Sequence, residues 1–309
     1  MRKKPSPLWH LPLLLIGATM LLPLAFMLVT ALAEPGRSMQ AADSILDFVV
    51  PASWRWENFA EVGRVIPFAR YYANSLLVSG AVTAGLVFTS ACAAYAFSRL
   101  EWRGRDGVFT AYIATMMVPG AVTMLPNFVA MKILPDVMAR LLPWVDWHAQ
   151  RVLGTTPQDP LVGRLAGIDS YFALVVPVMF SAYGTFMLRQ FFLSIPRDID
   201  EAAEIDGAGH WTVFSRMILP LSLPALATLT VFTFLGTWGS FLWPLIVTNQ
   251  AELGTLPLGL LAFQNTGTYA TEWHLMMAAA LLILLPIVIL FIVGQRFFVA
   301  GARTGAIKG

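Results

Sequence analysis

An all-α membrane bundle of six spans is the fold the sequence predicts, and three observations predict it. Hydrophobic residues make up 57% of the 309-residue chain and charged residues only 12%, against roughly 45–50% and about 25% in soluble domains. Six segments stay apolar over the roughly 20 helical residues needed to cross a hydrocarbon core about 30 Å thick. None alternates with the period of two that a membrane β-barrel strand requires. Residues 1–309 are therefore expected to form one transmembrane domain.

The first span is placed at 8–33. Arg2-Lys3-Lys4 before it and Ala31-Leu32-Ala33 at its end imitate a cleaved secretory signal. Its apolar stretch of about 22 residues exceeds the roughly 7–15 of a signal core, which favours a retained helix. The remaining spans are expected at 72–97, 108–134, 171–192, 221–247 and 273–297. Pro23, Pro119, Pro126, Pro177, Pro224, Pro244 and Pro286 fall inside spans, where neighbouring helices or waters can satisfy the freed carbonyls.

Orientation follows from the positive-inside rule. With the N-terminus in the cytoplasm, six spans return the C-terminus there. The inside segments then hold 12 of the 20 basic residues and seven of the 18 acids, a net +5 against −3 outside. Outside lie 34–71, with Trp54 and Trp56 as interfacial anchors, then 135–170, and finally 248–272, which has no Lys or Arg.

Between the fourth and fifth spans runs the cytoplasmic loop 194–220. Ser194 suits an N-cap and Pro196 an early helical position. Asp198, Asp200 and Glu201 cluster where carboxylates favour the positive helix end, and Gly207 can take the left-handed stop. A short helix is thus predicted over 196–206, with Ile199, Ala202, Ala203 and Ile205 on an uneven apolar side. A second helical piece is predicted over 210–219. Two readings fit: a solvated loop helix whose acids cap it, or a helix shaped to dock in a partner's groove.

The motif Glu201-Ala202-Ala203, then Gly207, then Leu219-Pro220 resembles the EAA motif of ABC-importer permease subunits. The surrounding "LRQFFLSIPRDIDEAAEIDGAGHWTVFSRMILPLSLPAL" is similar to carbohydrate-uptake permeases related to the maltose system. The resemblance extends to "MMVPGAVTMLPNF", "ATEWHLMMAAALLILLP" and the closing "GARTGAIKG". Met217 stands where the family usually has isoleucine, and 135–170 looks longer than usual.

This resemblance implies a type I ABC-importer-like bundle in a bacterial-type inner membrane. The loop helix would couple to a separate ATPase through Glu201, Ala202, Ala203, Asp206 and Gly207. Implied partners are a second homologous permease subunit, two nucleotide-binding ATPase subunits and an extracytoplasmic solute-binding protein. No cofactor is implied in this chain, because ATP and Mg belong to the ATPase. The implied cargo is a sugar or oligosaccharide, or alternatively glycerol phosphate or a polyol.

Uncharged polar and aromatic residues within or beside spans are candidates for the solute path: Asn74, Asn127, Trp238, Trp243 and Gln264, with Ser75, Thr233 and Ser240 beside them. Each has a plainer alternative, since tryptophan anchors at interfaces and Ser, Thr and Asn bond between helices. Charged residues are almost absent from mid-span, which disfavours an ion-coupled carrier. The lysines (Lys3, Lys4, Lys132 and Lys308) stand in no Gly-Lys-Ser/Thr phosphate loop, and the histidines (His10, His148, His210 and His274) have no ligand spacing. A polytopic membrane enzyme is disfavoured accordingly. Net charge +2 and no longer basic run give no reason to expect a nucleic-acid partner, and the lone Cys92 excludes an internal disulfide.

Overall fold

The computed structural model describes residues 10–35, 53–141, 167–263 and 272–306. The terminal basic residues Arg2, Lys3, Lys4 and Lys308, most of the long outer segment and Gln264 lie outside them. Every element among the described residues is helical. They are α1 (His10–Ala31), α2 (Asn58–Val65), α3 (Phe68–Ser98), α4 (Arg105–Ala114), α5 (Gly120–Leu141) and α6 (Tyr171–Val178). Then follow α7 (Ala182–Leu193), α8 (Asp198–Ile205), α9 (His210–Leu221), α10 (Leu223–Trp238), α11 (Leu242–Val247), α12 (Leu256–Ala262) and α13 (Trp273–Ala306). Among the described residues, four helices are long and apolar enough to cross a membrane, or up to six when each of two bent pairs forms one span.

Proline and glycine decide where the expected spans break. The region expected as one span at 108–134 is not one helix. After α4 a 3-10 turn at Thr115–Met117 gives way to extended Val118 (φ −84°, ψ 118°), because the residue before Pro119 is pushed out of the helical region. The membrane-length helix is α5, which contains Pro126 and Pro135 and runs on to Leu141. Pro177 lies in the 3-10 turn Val176–Val178 that closes α6, and the chain bends 45° into α7. Thr89 Oγ1 donates to the freed Met179 carbonyl at 2.8 Å, and Ser181 caps α7 by accepting from Gly184 N at 3.0 Å. The region expected at 221–247 likewise divides into α10 and α11, on either side of Gly239-Ser240-Phe241.

A wider turn precedes Pro220. Phe214–Ile218 forms a π-helical stretch in which Leu219 N–H bonds Phe214 O, five residues back. Proline has no N–H to bond the carbonyl four residues behind it, so the ladder loosens there. The chain then turns 77° at Ser222 between α9 and α10.

Contacts gather into two compact units, Met1–Tyr72 with Leu256–Pro286, and Ala73–Thr255 with Ile287–Gly309. In the first, Ala31, Val62, Ile66, Phe263, Leu275, Ala278 and Ala279 form the core. Fully buried Asn58 donates to Ala31 O at 2.8 Å and Ala33 O at 2.9 Å, closing the end of α1. Gly259 on α12 permits close packing, since a Cβ there would stand 2.7 Å from the Tyr71 ring.

The second unit has two cores. One packs Ala91, Ala94 and Tyr95 of α3 against Leu188 and Phe192 of α7, and against Ala203, Val213, Phe214 and Ile218. The other joins Val78 and Val82 of α3 to Met131, Ala173, Leu174 and Val247. Leucines on α1 and α5 lie open, with Leu14 and Leu125 each 68% exposed. Water would penalise such helices, whereas lipid tails solvate them.

Candidate functional site

The loop helix α8 packs on the core that joins α3 and α7. Its start differs from the expected one. Ser194 does not cap it: it is the C-cap residue of α7, and its hydroxyl donates back to Phe191 O at 2.6 Å. Arg197 occupies the cap position with helical φ and ψ and no side-chain cap bond. The C-terminal stop is as expected. Gly207 has φ +78°, its N–H bonds Glu204 O at 3.0 Å, and Ala208 N–H bonds Ala203 O at 2.9 Å. These paired bonds are the Schellman closure.

The uneven apolar side divides in two. Ala203 is 2% exposed, packed with Ile199 in the core beneath α8. Ala202 faces outward with Glu201, Asp206 and Gly207, and Ile205 is 86% exposed between them. Ile205 was legible only as part of the apolar side. Its isolation at the tip emerges once α8 is seated.

A buried ion pair seats it. Arg99 Nη1 donates to Asp200 Oδ2 at 2.6 Å, and the two side chains are 4% and 17% exposed. Arg99 Nη2 also donates to Ile195 O at 2.9 Å and to Phe192 O. One guanidinium thus joins the end of α3, the end of α7 and the first turn of α8. A second, exposed pair links Arg197 to Glu101 at 3.3 Å. Between them opens a groove of about 610 Å³ that also borders Glu201, Glu204 and His210. Nothing in the sequence pairs Arg99 with Asp200 across about a hundred positions, so capping alone accounted for Asp200 there.

Candidate solute-path residues separate into groups. Trp238 and Trp243 line one cavity of about 160 Å³, together with Ser75, Ser79, Thr237, Ser240 and Thr255. Trp243 Nε1 donates to Ala173 O at 2.9 Å. Asn127 is half-buried on α5 and does not line this cavity.

Asn74 is committed elsewhere. Its Nδ2 donates to Glu252 O and Gly254 O, both at 2.9 Å, and its Oδ1 accepts from Tyr171 OH at 2.7 Å. All of its amide donors and one acceptor lone pair therefore hold the 248–255 loop rather than facing a solute. Asp169, at φ 58°, clamps the other end of that loop. Its carboxylate accepts from the N–H groups of Asn249 and Gln250 and from Asn249 Nδ2, the last two at 3.2 Å.

Comparison with known proteins assigns the architecture. Residues 81–304 match the family described as "Binding-protein-dependent transport system inner membrane component". The "sn-glycerol-3-phosphate transport system permease protein UgpE" of Pectobacterium atrosepticum is 32% identical over 298 residues, covering 94% of each chain. Its counterpart in Yersinia pestis is 31% identical over 296 residues, covering 94% of this chain and 93% of its own. A bacterial ABC transporter crystal structure, involved in import of the acidic polysaccharide alginate, superimposes with a TM-score of 0.70. It covers 94% of this chain and 96% of its own at 20% identity, a likeness of fold. The all-helical membrane bundle, the broken spans and the match over 81–304 converge: this chain belongs to the binding-protein-dependent transport system inner membrane component family, the permease subunits of ABC importers.

Proposed function

We propose that this permease forms half of the translocation path of an ATP-driven sugar or oligosaccharide importer, and that α8 couples it to a separate ATPase. One observation carries the coupling reading: Glu201, Ala202, Asp206 and Gly207 are presented outward around an apolar Ile205 that is 86% exposed. Ala203 fills the floor beneath them. An acidic, small-residue surface with one apolar knob fits an ATPase groove that offers cations and a pocket. ATP and Mg act in that partner.

The assembly contains a second homologous permease, two ATPase subunits and an extracytoplasmic solute-binding protein. Both termini and α8 lie on the cytoplasmic side of the inner membrane, following the +5 against −3 distribution of charge. A C-terminal tag is therefore protected from external protease in intact cells, and its cleavage would overturn the orientation.

Co-purification tests coupling. Wild-type chain brings down an ATPase, whereas Glu201→Lys loses both the ATPase and uptake while remaining inserted. Normal uptake in that variant would sink the assignment. The relatives named as sn-glycerol-3-phosphate permeases, at 31–32% identity, support a second reading in which the cargo is a glycerol phosphate or polyol. The cognate binding protein separates the two, since only its true ligand raises its melting temperature.

A further inference from the structure

The cavity between α3, α6 and α10–α11 lies about 30 Å along α3 from Arg99, at 1.5 Å per residue. Thr255 is 4% exposed, and its Oγ1 has no hydrogen-bond partner among the described residues. Such a group is costly to bury unless something bonds it. Ser75 and Ser79 border the same space at 3% and 1% exposed.

The groups facing this space define its chemistry. Hydroxyls both donate and accept, which matches an alcohol. Thr237 Oγ1 donates to Thr233 O at 2.9 Å and keeps its acceptor lone pairs for the cavity. Trp243 has its N–H bonded to Ala173 O, so it contributes ring surface, alongside Val78, Leu174 and Pro244. Alternating apolar and hydroxyl surface is the complement of a sugar ring. No Lys, Arg or His is among the described residues that line it. A phosphate dianion brought here would lose its hydration without gaining a cation, and it offers only acceptors.

Size narrows the class further. About 160 Å³ is ten-fold more than the roughly 10–15 Å³ one water occupies, yet below the roughly 300 Å³ of a drug-sized pocket. We propose that this cavity is a solute subsite within the chain itself, selecting one neutral pyranose ring or short polyol at a time and rejecting phosphate esters. The proposal rests on the importer reading above.

Saturation-transfer NMR on the assembled importer in nanodiscs tests it, with assembly established by co-purified ATPase. The probes are methyl α-D-glucopyranoside as the neutral ring and sn-glycerol 3-phosphate as the anion. The glucoside gives a saturable signal, and the phosphate ester at equal concentration gives none. Ser79→Phe fills the space and abolishes the signal. Thr255→Val, which changes shape little, weakens binding about tenfold through loss of one hydrogen bond. Equal or tighter binding of the phosphate ester, no glucoside binding, or wild-type binding in both variants overturns the subsite while leaving coupling intact. Absence of the ATPase from the purified complex overturns the importer reading instead.

Discussion

Arg99 Nη1 stands 2.6 Å from Asp200 Oδ2, with the Arg99 side chain only 4% exposed. The pair ties the residue just past the end of a long membrane helix to the first turn of α8. Its remaining Nη2 bonds, to the Phe192 and Ile195 carbonyls, draw in the end of α7 as well. Movement imposed on α8 therefore reaches α3 and α7 through one rigid planar group.

Removing the cation leaves a mostly buried carboxylate and loses donors to two carbonyls. Arg99→Ala is expected to cost about 3–5 kcal/mol, the range for breaking a buried pair from one side. Asp200→Asn keeps the shape and an acceptor, and is milder. The exchanged pair, Arg99→Asp with Asp200→Arg, does not recover, because a carboxylate at position 99 has no donors to offer the carbonyls of Phe192 and Ile195. Thermal unfolding of the purified complex measures the order: wild type, then Asp200→Asn, then Arg99→Ala and the exchange. Full recovery in the exchange would show that pairing alone matters.

Gly207 separates conformation from docking. Its φ of +78° penalises most side chains, although a Cβ there would meet no atom within 4 Å. Gly207→Ala should cost about 1 kcal/mol of local stability. Asn and Asp tolerate this backbone better and have nearly the same shape. Gly207→Asn is thus expected to keep uptake and Gly207→Asp to abolish it, because only the latter adds charge to the surface proposed for docking. Equal uptake in the two would remove Gly207 from the docking surface.

Much of this architecture was legible in the chain before folding, for identifiable reasons. Apolar runs announce membrane helices because lipid leaves backbone groups no alternative to internal bonding. Gly207 announced its stop because few residues take that backbone conformation. Breaks were harder to place: Pro119 ends one helix while Pro126 and Pro135 ride inside the next, and the sequence around each looks alike. Ser194 misled because it closes the preceding helix, while α8 begins only after Arg197. Asn74 misled for a similar reason, since its partners lie about 180 positions away. Arg99 with Asp200 and Thr255 in the cavity depend on tertiary placement that no local pattern encodes.

Ile205 tests docking without touching the fold. It is 86% exposed, so Ile205→Asp removes no packing and leaves the melting temperature of the permease unchanged. If the residue fills a pocket on the ATPase, the same substitution weakens association at least tenfold, as loss of a central apolar anchor does. Titrating ATPase against the permease in nanodiscs reads this directly. Unaltered affinity would place the contact on the acidic residues alone.

The segment 248–255, with a 3-10 turn at Ala251–Leu253, is held at both ends by side chains, and this predicts how it fails. Asn74→Leu withdraws two donors from the Glu252 and Gly254 carbonyls and strands the Tyr171 hydroxyl. Net loss is expected near 2–3 kcal/mol, at roughly 1 kcal/mol per bond. Asp169→Ala frees the N–H groups of Asn249 and Gln250 at the other end, where exposure lets water replace them, so it costs less. Hydrogen exchange over 249–255 should accelerate in both, more in Asn74→Leu, while α8 keeps its protection because its contacts lie at the far end of α3. Faster exchange at α8 in either variant would mean the two ends are linked through more than the α3 helix.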